Sequence, residues 1–186
     1  MLRAEFFASV WRAGVFAVKI LVMDVPDDGS KRAFYAQAVE QLAGLLADEV
    51  DQVARMAGLV SVIHRIMPHF YWTGFYRVVG SELVIGPYQG TPGCSRIAWG
   101  RGVCGTAWQT GVTQIVADVH AFPGHIACDA ASASEIVVPV MECERVVPVM
   151  ECERVVAILD VDSAAADAFG EVDAVGLRQV LRVAGW

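Results

Sequence analysis

Three cysteines, two histidines and many of the glycines are concentrated between Gly86 and Ser134. A cysteine thiolate is a good nucleophile where hydrogen bonds or positive charge lower the pKa of its thiol. Cys128 follows His125 in GHIACDAAS, and the small residues after it offer backbone N–H groups that could hold an anion. The stretch therefore predicts a site of thiol chemistry.

Further residues could complete such a site. A second cysteine within reach would capture an oxidised intermediate as a disulfide, and Cys94 and Cys104 could each supply it. The carboxylates of Glu135, Asp160 and Asp162 could act as acids or hold an ammonium group. Asp160 and Asp162 lie two apart on a predicted strand and so point the same way. The set suits reduction of a small polar substrate, and ordinary buried cysteines are the alternative.

Composition limits the class of protein. The chain has 186 residues, of which 55% are hydrophobic and 19% charged, so we expect one folded domain with a core. The formal net charge of -7 argues against a nucleic-acid or anionic-membrane partner and suits a cytoplasmic protein. The five cysteines include no CxxC pair, so their spacing does not match a zinc finger.

The hydrophobic periodicity predicts an alternation of helices and strands. Helical patterns cover residues 30–59 and 50–67, with Ser30 as a candidate cap. Two strands flank the Gly80-Ser81 turn as a hairpin. The remaining predicted elements are a helix at 103–109, strands at 113–116, 135–141 and 155–161, and a helix at 171–183. Residues 117–134 form a long loop that carries Cys128, and loops of that length are usually functional.

The N-terminal residues differ from the rest. Residues 1–22 are apolar but contain Lys19, which argues against both a signal peptide and a membrane span. We expect Met23 to be the functional start; a docked helix or strand and an aberrant targeting segment are the alternatives. We divide the chain into an N-terminal extension, 1–32, outside the native fold, and a catalytic domain, 33–186.

An unusual feature lies in that domain. Residues 137–145, VVPVMECER, recur without change as 146–154, a tandem duplication of nine residues at 137–154. Because nine is odd, lengthening one strand by that number would reverse its inside-outside alternation. We therefore expect one copy to pair in the sheet and the other to loop out. Cys143 and Cys152 are copies of one surface position and are expected not to be catalytic.

Five stretches together resemble the free methionine-(R)-sulfoxide reductases, which are single GAF-domain enzymes. The resemblance covers roughly residues 33–182, and its motifs are YWTGFY (71–76), GPYQGTPGCSRI (86–97), GRGVCGTA (100–107), DVHAFPGHIACDAASASEIVVPV (118–140) and LDVDS (159–163). It implies an α+β fold with a central antiparallel sheet, helices packed against it, and a ligand pocket on the sheet face under a loop.

The resemblance also implies roles. Cys128 matches the cysteine that attacks the sulfoxide sulfur, Cys94 the one that resolves the sulfenic acid as a disulfide, and Cys104 the third family cysteine, a partner or alternative resolver. Substrate-binding residues would be the carboxylates and two aromatic residues: Glu135, Asp160, Asp162, Trp72 and Tyr76.

It implies no metal and no bound cofactor, with thioredoxin and NADPH as the external reductant. Free methionine sulfoxide and thioredoxin would be the partners, and a homodimer is an alternative to the monomer. Other functions stay open: a GAF small-molecule sensor, a reductase inactivated by its duplication, or a redox-sensing thiol switch without substrate.

Overall fold

The computed structural model describes residues 24–126, 128–146 and 149–186; of residues 143–146 and 149–153 it describes the backbone alone. The expectations for residues 1–22 and for the side chains of Cys143 and Cys152 lie outside the described part.

A six-stranded antiparallel sheet forms the centre, with strand order β3-β2-β1-β6-β5-β4. Its strands are β1 Trp72–Val79, β2 Glu82–Gln89, β3 Arg96–Ala98, β4 Gln114–Val116, β5 Ser134–Val146 and β6 Val149–Ser163. The predicted hairpin about Gly80 is confirmed, and Gly80 has the positive φ of 62° that such a turn requires. The short edge strand β3 was not predicted.

In the described part of the chain four α-helices accompany the sheet: α1 Asp28–Leu45, α2 Gln52–Ile66, α3 Gly102–Thr110 and α4 Glu171–Val183. A 3-10 helix, Val119–Ala121, lies in the loop before β5. The predicted α+β architecture, with helices on an antiparallel sheet, is confirmed. Within the described ranges no helix is long and apolar enough to cross a bilayer.

The first described helix begins earlier than the sequence pattern predicts. Asp27, not Ser30, caps α1, because its carboxylate accepts the N–H of Ser30 at 2.7 Å. Residues 28–32, assigned above to the N-terminal extension, are helical, and Lys31 is buried. The division of the chain at residue 33 stays a prediction.

The two faces of the sheet are covered differently, because successive side chains of a strand point to opposite sides. On one face Phe75, Ile136 and Leu159 pack in the larger core together with residues of α1, α2 and α4. On the other, Tyr76, Val137 and Ile158 pack in a smaller core with residues of α3. The smaller core leaves room for the site described below.

A buried polar group, the Asp173 cluster (Lys31, Tyr35, His69 and Asp173), ties α1 to α4. The Lys31 ammonium donates to Asp173 Oδ2 at 2.6 Å and to the Ala168 carbonyl at 2.7 Å. The Tyr35 hydroxyl donates to Asp173 Oδ1 at 3.1 Å, and His69 Nε2 lies 3.9 Å from the same oxygen.

The prediction that one repeat copy loops out is wrong. Residues 137–145 lie in β5 and residues 149–154 of the second copy lie in β6. Residues 142–145 pair with residues 150–154, with Cys143 opposite Cys152, whereas residues 137–141 pair with residues 155–160, beyond the second copy. Two register shifts leave Glu153 and Val156 of β6 as extra residues. The pairing satisfies backbone N–H and C=O groups that a loop would leave without a partner in the sheet. The duplication thus lengthens both arms of the hairpin.

Candidate active site

A cavity opens on the face of the sheet that carries α3. Its empty volume is about 550 Å³, including the solvent at its mouth. Strands β1, β5 and β6 form its floor, and α3 and loop residues of 91–93, 125–126 and 128–132 form its walls. The lining residues are Trp72, Tyr76, Thr91, Pro92, Gly93, Ile97, Arg101, Gly102, Val103, Cys104, His125, Ile126, Cys128, Asp129, Ser132, Glu135, Asp160 and Asp162.

The floor and the inner wall hold what we call the acid cluster: Cys104, Glu135, Asp160 and Asp162. Glu135 on β5 lies opposite Asp162 on β6, and Asp160 lies two residues away on the same strand face. The Cys104 thiol on α3 donates to Asp160 Oδ2 at 3.3 Å and to Glu135 Oε1 at 3.5 Å. The lengthened hairpin leaves this arrangement intact because both register shifts lie beyond Val140.

Every group of the acid cluster has a raised pKa. Burial raises the pKa of Glu135 well above its ordinary value, and the charges of Asp160 and Asp162 raise it further. Burial also raises the pKa of Asp162 and of the Cys104 thiol. The pKa of Asp160 rises to about 6 through burial, although hydrogen bonds from Cys104 and Glu135 oppose the shift.

The acid cluster lacks a cation of its own. Among the described residues no lysine or arginine forms an ion pair with Glu135, Asp160 or Asp162. Asp160 is 6% exposed, and its Oδ1 is buried without a hydrogen-bond partner. A buried carboxylate oxygen without a donor is costly, so this oxygen suits a positively charged group that enters from the cavity.

The other two cysteines of the site form a pair, of which Cys128 lines the cavity. Cys94 and Cys128 form a disulfide with a Cα–Cα distance of 5.5 Å, while Cys104 is a buried free thiol. The loop after Cys128 is held by Asp129, whose Oδ2 accepts from Tyr71 at 3.0 Å and from Thr91 at 2.5 Å. The Thr91 hydrogen bond is the main reason that the pKa of Asp129 is lowered.

Aromatic rings close the side of the cavity. Trp72 stacks between Tyr76 and Tyr88, with ring centroids 5.9 and 5.5 Å away, and its indole N–H donates to the Thr91 carbonyl at 2.9 Å. Gly74 makes this position of the indole available, because a Cβ there would lie 2.4 Å from the Trp72 ring. Burial raises the pKa of the Tyr76 hydroxyl, so it stays a neutral hydrogen-bonding group.

The structure brings the residues chosen from the sequence to one place. Seven of them line the cavity, and the eighth, Cys94, is bonded to Cys128 beside it. Of the two loop histidines, His125 lines the cavity, with a pKa lowered by burial and by His120. His64 instead contacts the Thr73 hydroxyl at 3.1 Å, a structural position.

Sequence reasoning missed several lining residues: Arg101, Thr91, Asp129 and Ser132. Arg101 immediately precedes α3, whose first turn has no side-chain cap. Its place in GRGVCGTA, three residues before Cys104, is the signal that could have found it. These residues are polar, so the cavity offers more hydrogen-bonding groups than the residues selected from the sequence alone.

The chain is similar in sequence and in fold to known proteins. No family model matches the chain. A protein of Escherichia coli strain K12 named free methionine-R-sulfoxide reductase is 39% identical over 152 residues, which is 82% of this chain and 87% of that protein. The chain belongs to the free methionine-(R)-sulfoxide reductase family.

Solved structures agree with this membership. The free methionine-R-sulfoxide reductase of Neisseria meningitidis, solved with its substrate, is 38% identical, with a TM-score of 0.75, over 87% of this chain and 90% of its own. A putative GAF sensor protein from Burkholderia vietnamiensis is 45% identical, with a TM-score of 0.74, over 83% of this chain and 92% of its own. The GAF fold implied by the sequence motifs is confirmed.

Proposed function

We propose that the protein reduces free L-methionine-(R)-sulfoxide to L-methionine by thiol chemistry. The observation that carries the proposal is the pair Cys94 and Cys128, already bonded to each other, at the wall of a cavity that also holds the buried acid cluster, with which no lysine or arginine in the described part of the chain forms an ion pair. Family membership supports an oxidoreductase acting on methionine sulfoxide.

The reaction begins with Cys128 as a thiolate. Its sulfur attacks the sulfoxide sulfur, the oxygen is protonated and transferred to Cys128, and methionine leaves, so that Cys128 becomes a sulfenic acid. Cys94 then attacks the Cys128 sulfur, which forms the disulfide and releases water. An external dithiol, thioredoxin recycled by NADPH, restores both thiols. Cys104, buried and with a raised thiol pKa, is then a protonated partner of the carboxylates and not the first resolver.

The acid cluster would bind the substrate ammonium and supply the proton for the departing oxygen. Burial raises the pKa values of Glu135 and Asp162 well above their ordinary values and that of Asp160 to about 6. A carboxyl with a raised pKa is a competent general acid near neutral pH. Trp72 would pack on the substrate methyl group.

The substrate is a free amino acid, so a second charge has to be matched. Arg101 is the arginine among the lining residues, and it stands where the uncapped start of α3 directs N–H groups outward. We assign it to the substrate α-carboxylate. A cavity lined by both carboxylates and an arginine favours a zwitterion over a residue within a peptide.

The test is NADPH oxidation coupled through thioredoxin. Free L-methionine-(R)-sulfoxide, the (S) epimer and a peptide-bound sulfoxide are offered in parallel to folded, reduced protein. We expect turnover of the free (R) form alone. Silence on all three would contradict the proposal and would leave a sensor, a thiol switch or an inactivated reductase. Disulfide formation driven by peroxide without methionine release would identify the switch.

A further inference from the structure

Three side chains of the acid cluster have the arrangement of metal ligands. One ligand atom each from Cys104, Glu135 and Asp160 lies within 4.8 Å of the others, and all three residues are buried. They come from three separate elements, α3, β5 and β6, so the fold fixes their relative positions.

The distances suit a particular ion. The Cys104 sulfur lies 3.3 Å from an Asp160 oxygen and 3.5 Å from a Glu135 oxygen. Around a tetrahedral Zn²⁺ with ordinary bond lengths, a sulfur and an oxygen ligand are about 3.6 Å apart. One thiolate with two carboxylates is a donor set for Zn²⁺ or the softer Cd²⁺, whereas Mg²⁺ and Ca²⁺ prefer oxygen ligands alone.

An independent observation also points to a bound cation. Asp160 Oδ1 is buried and unpartnered at the cavity wall, and within the described ranges no basic side chain pairs with the cluster. All three side chains line the cavity, from which water could supply a fourth ligand.

We propose that Cys104, Glu135 and Asp160 bind one Zn²⁺ in the substrate-free protein, as an inhibitory site that competes with the substrate ammonium. Binding forms a zinc–thiolate bond and releases the Cys104 thiol proton to solvent. The binding itself does not depend on the proposed reaction; the competition with substrate rests on the proposed function.

The test uses the oxidised full chain, in which Cys94 and Cys128 are bonded, with Cys143→Ser and Cys152→Ser so that Cys104 is the remaining thiol. Titration with Cd²⁺ is followed by the ultraviolet thiolate-to-metal absorption, and Zn²⁺ affinity is measured against a chromophoric chelator. We expect one equivalent of metal. Adding Cys104→Ser should remove the absorption, and Asp160→Asn, which keeps the thiol, should weaken binding at least about tenfold. Asp129→Asn, at the same cavity but outside the cluster, should bind as the parent does.

An absent absorption band, or Zn²⁺ affinity unchanged by Asp160→Asn, would overturn the site. Circular dichroism confirms that each variant is folded. In a second arm, turnover of reduced protein is measured at several Zn²⁺ concentrations, and we expect the apparent KM to rise while kcat is unchanged. Metal binding in a protein without turnover would leave the zinc site standing and reject the proposed function instead.

Discussion

The buried carboxylate of Asp173 and the three carboxylates of the acid cluster lie on opposite faces of one sheet, and their pKa values shift in opposite directions. In the Asp173 cluster, burial alone would raise the pKa of Asp173, but His69, Lys31 and the Gly170 N–H outweigh it and the pKa is lowered. In the acid cluster, burial dominates and the pKa values of Glu135, Asp160 and Asp162 are raised. Lys31 provides the cation in the first case, and the described residues provide none in the second.

The difference separates a structural role from a functional one. A buried carboxylate with its own cation and donors holds elements together, here α1 and α4. Buried carboxylates without a cation destabilise the folded protein, and a ligand that carries a positive charge offsets this destabilisation when it binds. The acid cluster borders a cavity, whereas the Asp173 cluster lies among packed helices.

The largest expected effect is that of Cys128→Ser, which separates turnover from substrate binding. Cys128→Ser should abolish turnover because it removes the nucleophile, yet L-methionine should still bind, since the acid cluster is unchanged. Coupled NADPH oxidation and calorimetric binding measure the two properties. Cys143→Ser, in the repeat, is the control and should turn over as the wild type does; an inactive Cys143→Ser protein would refute the site assignment.

The next effect concerns stability. Asp173→Asn leaves the buried Lys31 ammonium without its partner, which should lower the free energy of unfolding by about 3–5 kcal/mol. Asp160→Asn strands no cation and should be neutral or stabilising. Urea denaturation of the two variants measures the contrast, and equal losses from both would show that the two clusters do not differ as described.

The contributions of Asp160 and Asp173 to stability should depend on pH with opposite signs. The folded pKa of Asp160, about 6, exceeds its ordinary 3.8, so between these values the folded state holds a proton that the unfolded state loses. Stability therefore falls as pH rises from about 4 to 6, by up to about 3 kcal/mol for this group, and Asp160→Asn should flatten the fall.

For Asp173 the pKa is lowered, so its contribution is present above the unfolded pKa and is lost as pH falls below it. Denaturation of wild type and both variants at several pH values measures these slopes. An Asp160→Asn profile parallel to that of the wild type would contradict the raised pKa.

The smallest expected effect is that of Arg101 on substrate binding. Arg101→Gln should raise the KM for free methionine sulfoxide about tenfold with little change in kcat, because it removes a charge-assisted hydrogen bond made equally in ground and transition states. Arg96→Gln is the matched control, since Arg96 pairs with Glu82 on the surface at 2.8 Å. If both variants behaved as the wild type does, Arg101 would have no part in binding the carboxylate.

Much of this arrangement could be predicted from local patterns. The alternation around Gly80 gave the first hairpin, and the spacing of Asp160 and Asp162 placed both at one cavity. Cys104 and Cys128 stood out because cysteine is rare and both lie in Gly-rich motifs.

Other features depend on contacts that are distant in sequence. The pairing of the two repeat copies was missed because an odd insertion was expected to break the register, whereas two extra residues in β6 preserve it. The buried Lys31 was missed because its partner Asp173 is 142 residues away. That no described lysine or arginine pairs with the acid cluster likewise follows only from the structure, because α3, β5 and β6 bring its residues together.

The most direct test of this cation requirement compares free L-methionine-(R)-sulfoxide with its N-acetyl derivative, which has the same sulfoxide and carboxylate but no ammonium. The account predicts that kcat/KM for the acetylated compound is at least about 100-fold lower, because the buried carboxylates are then left without their cation. Equal kcat/KM values for the two compounds would contradict it.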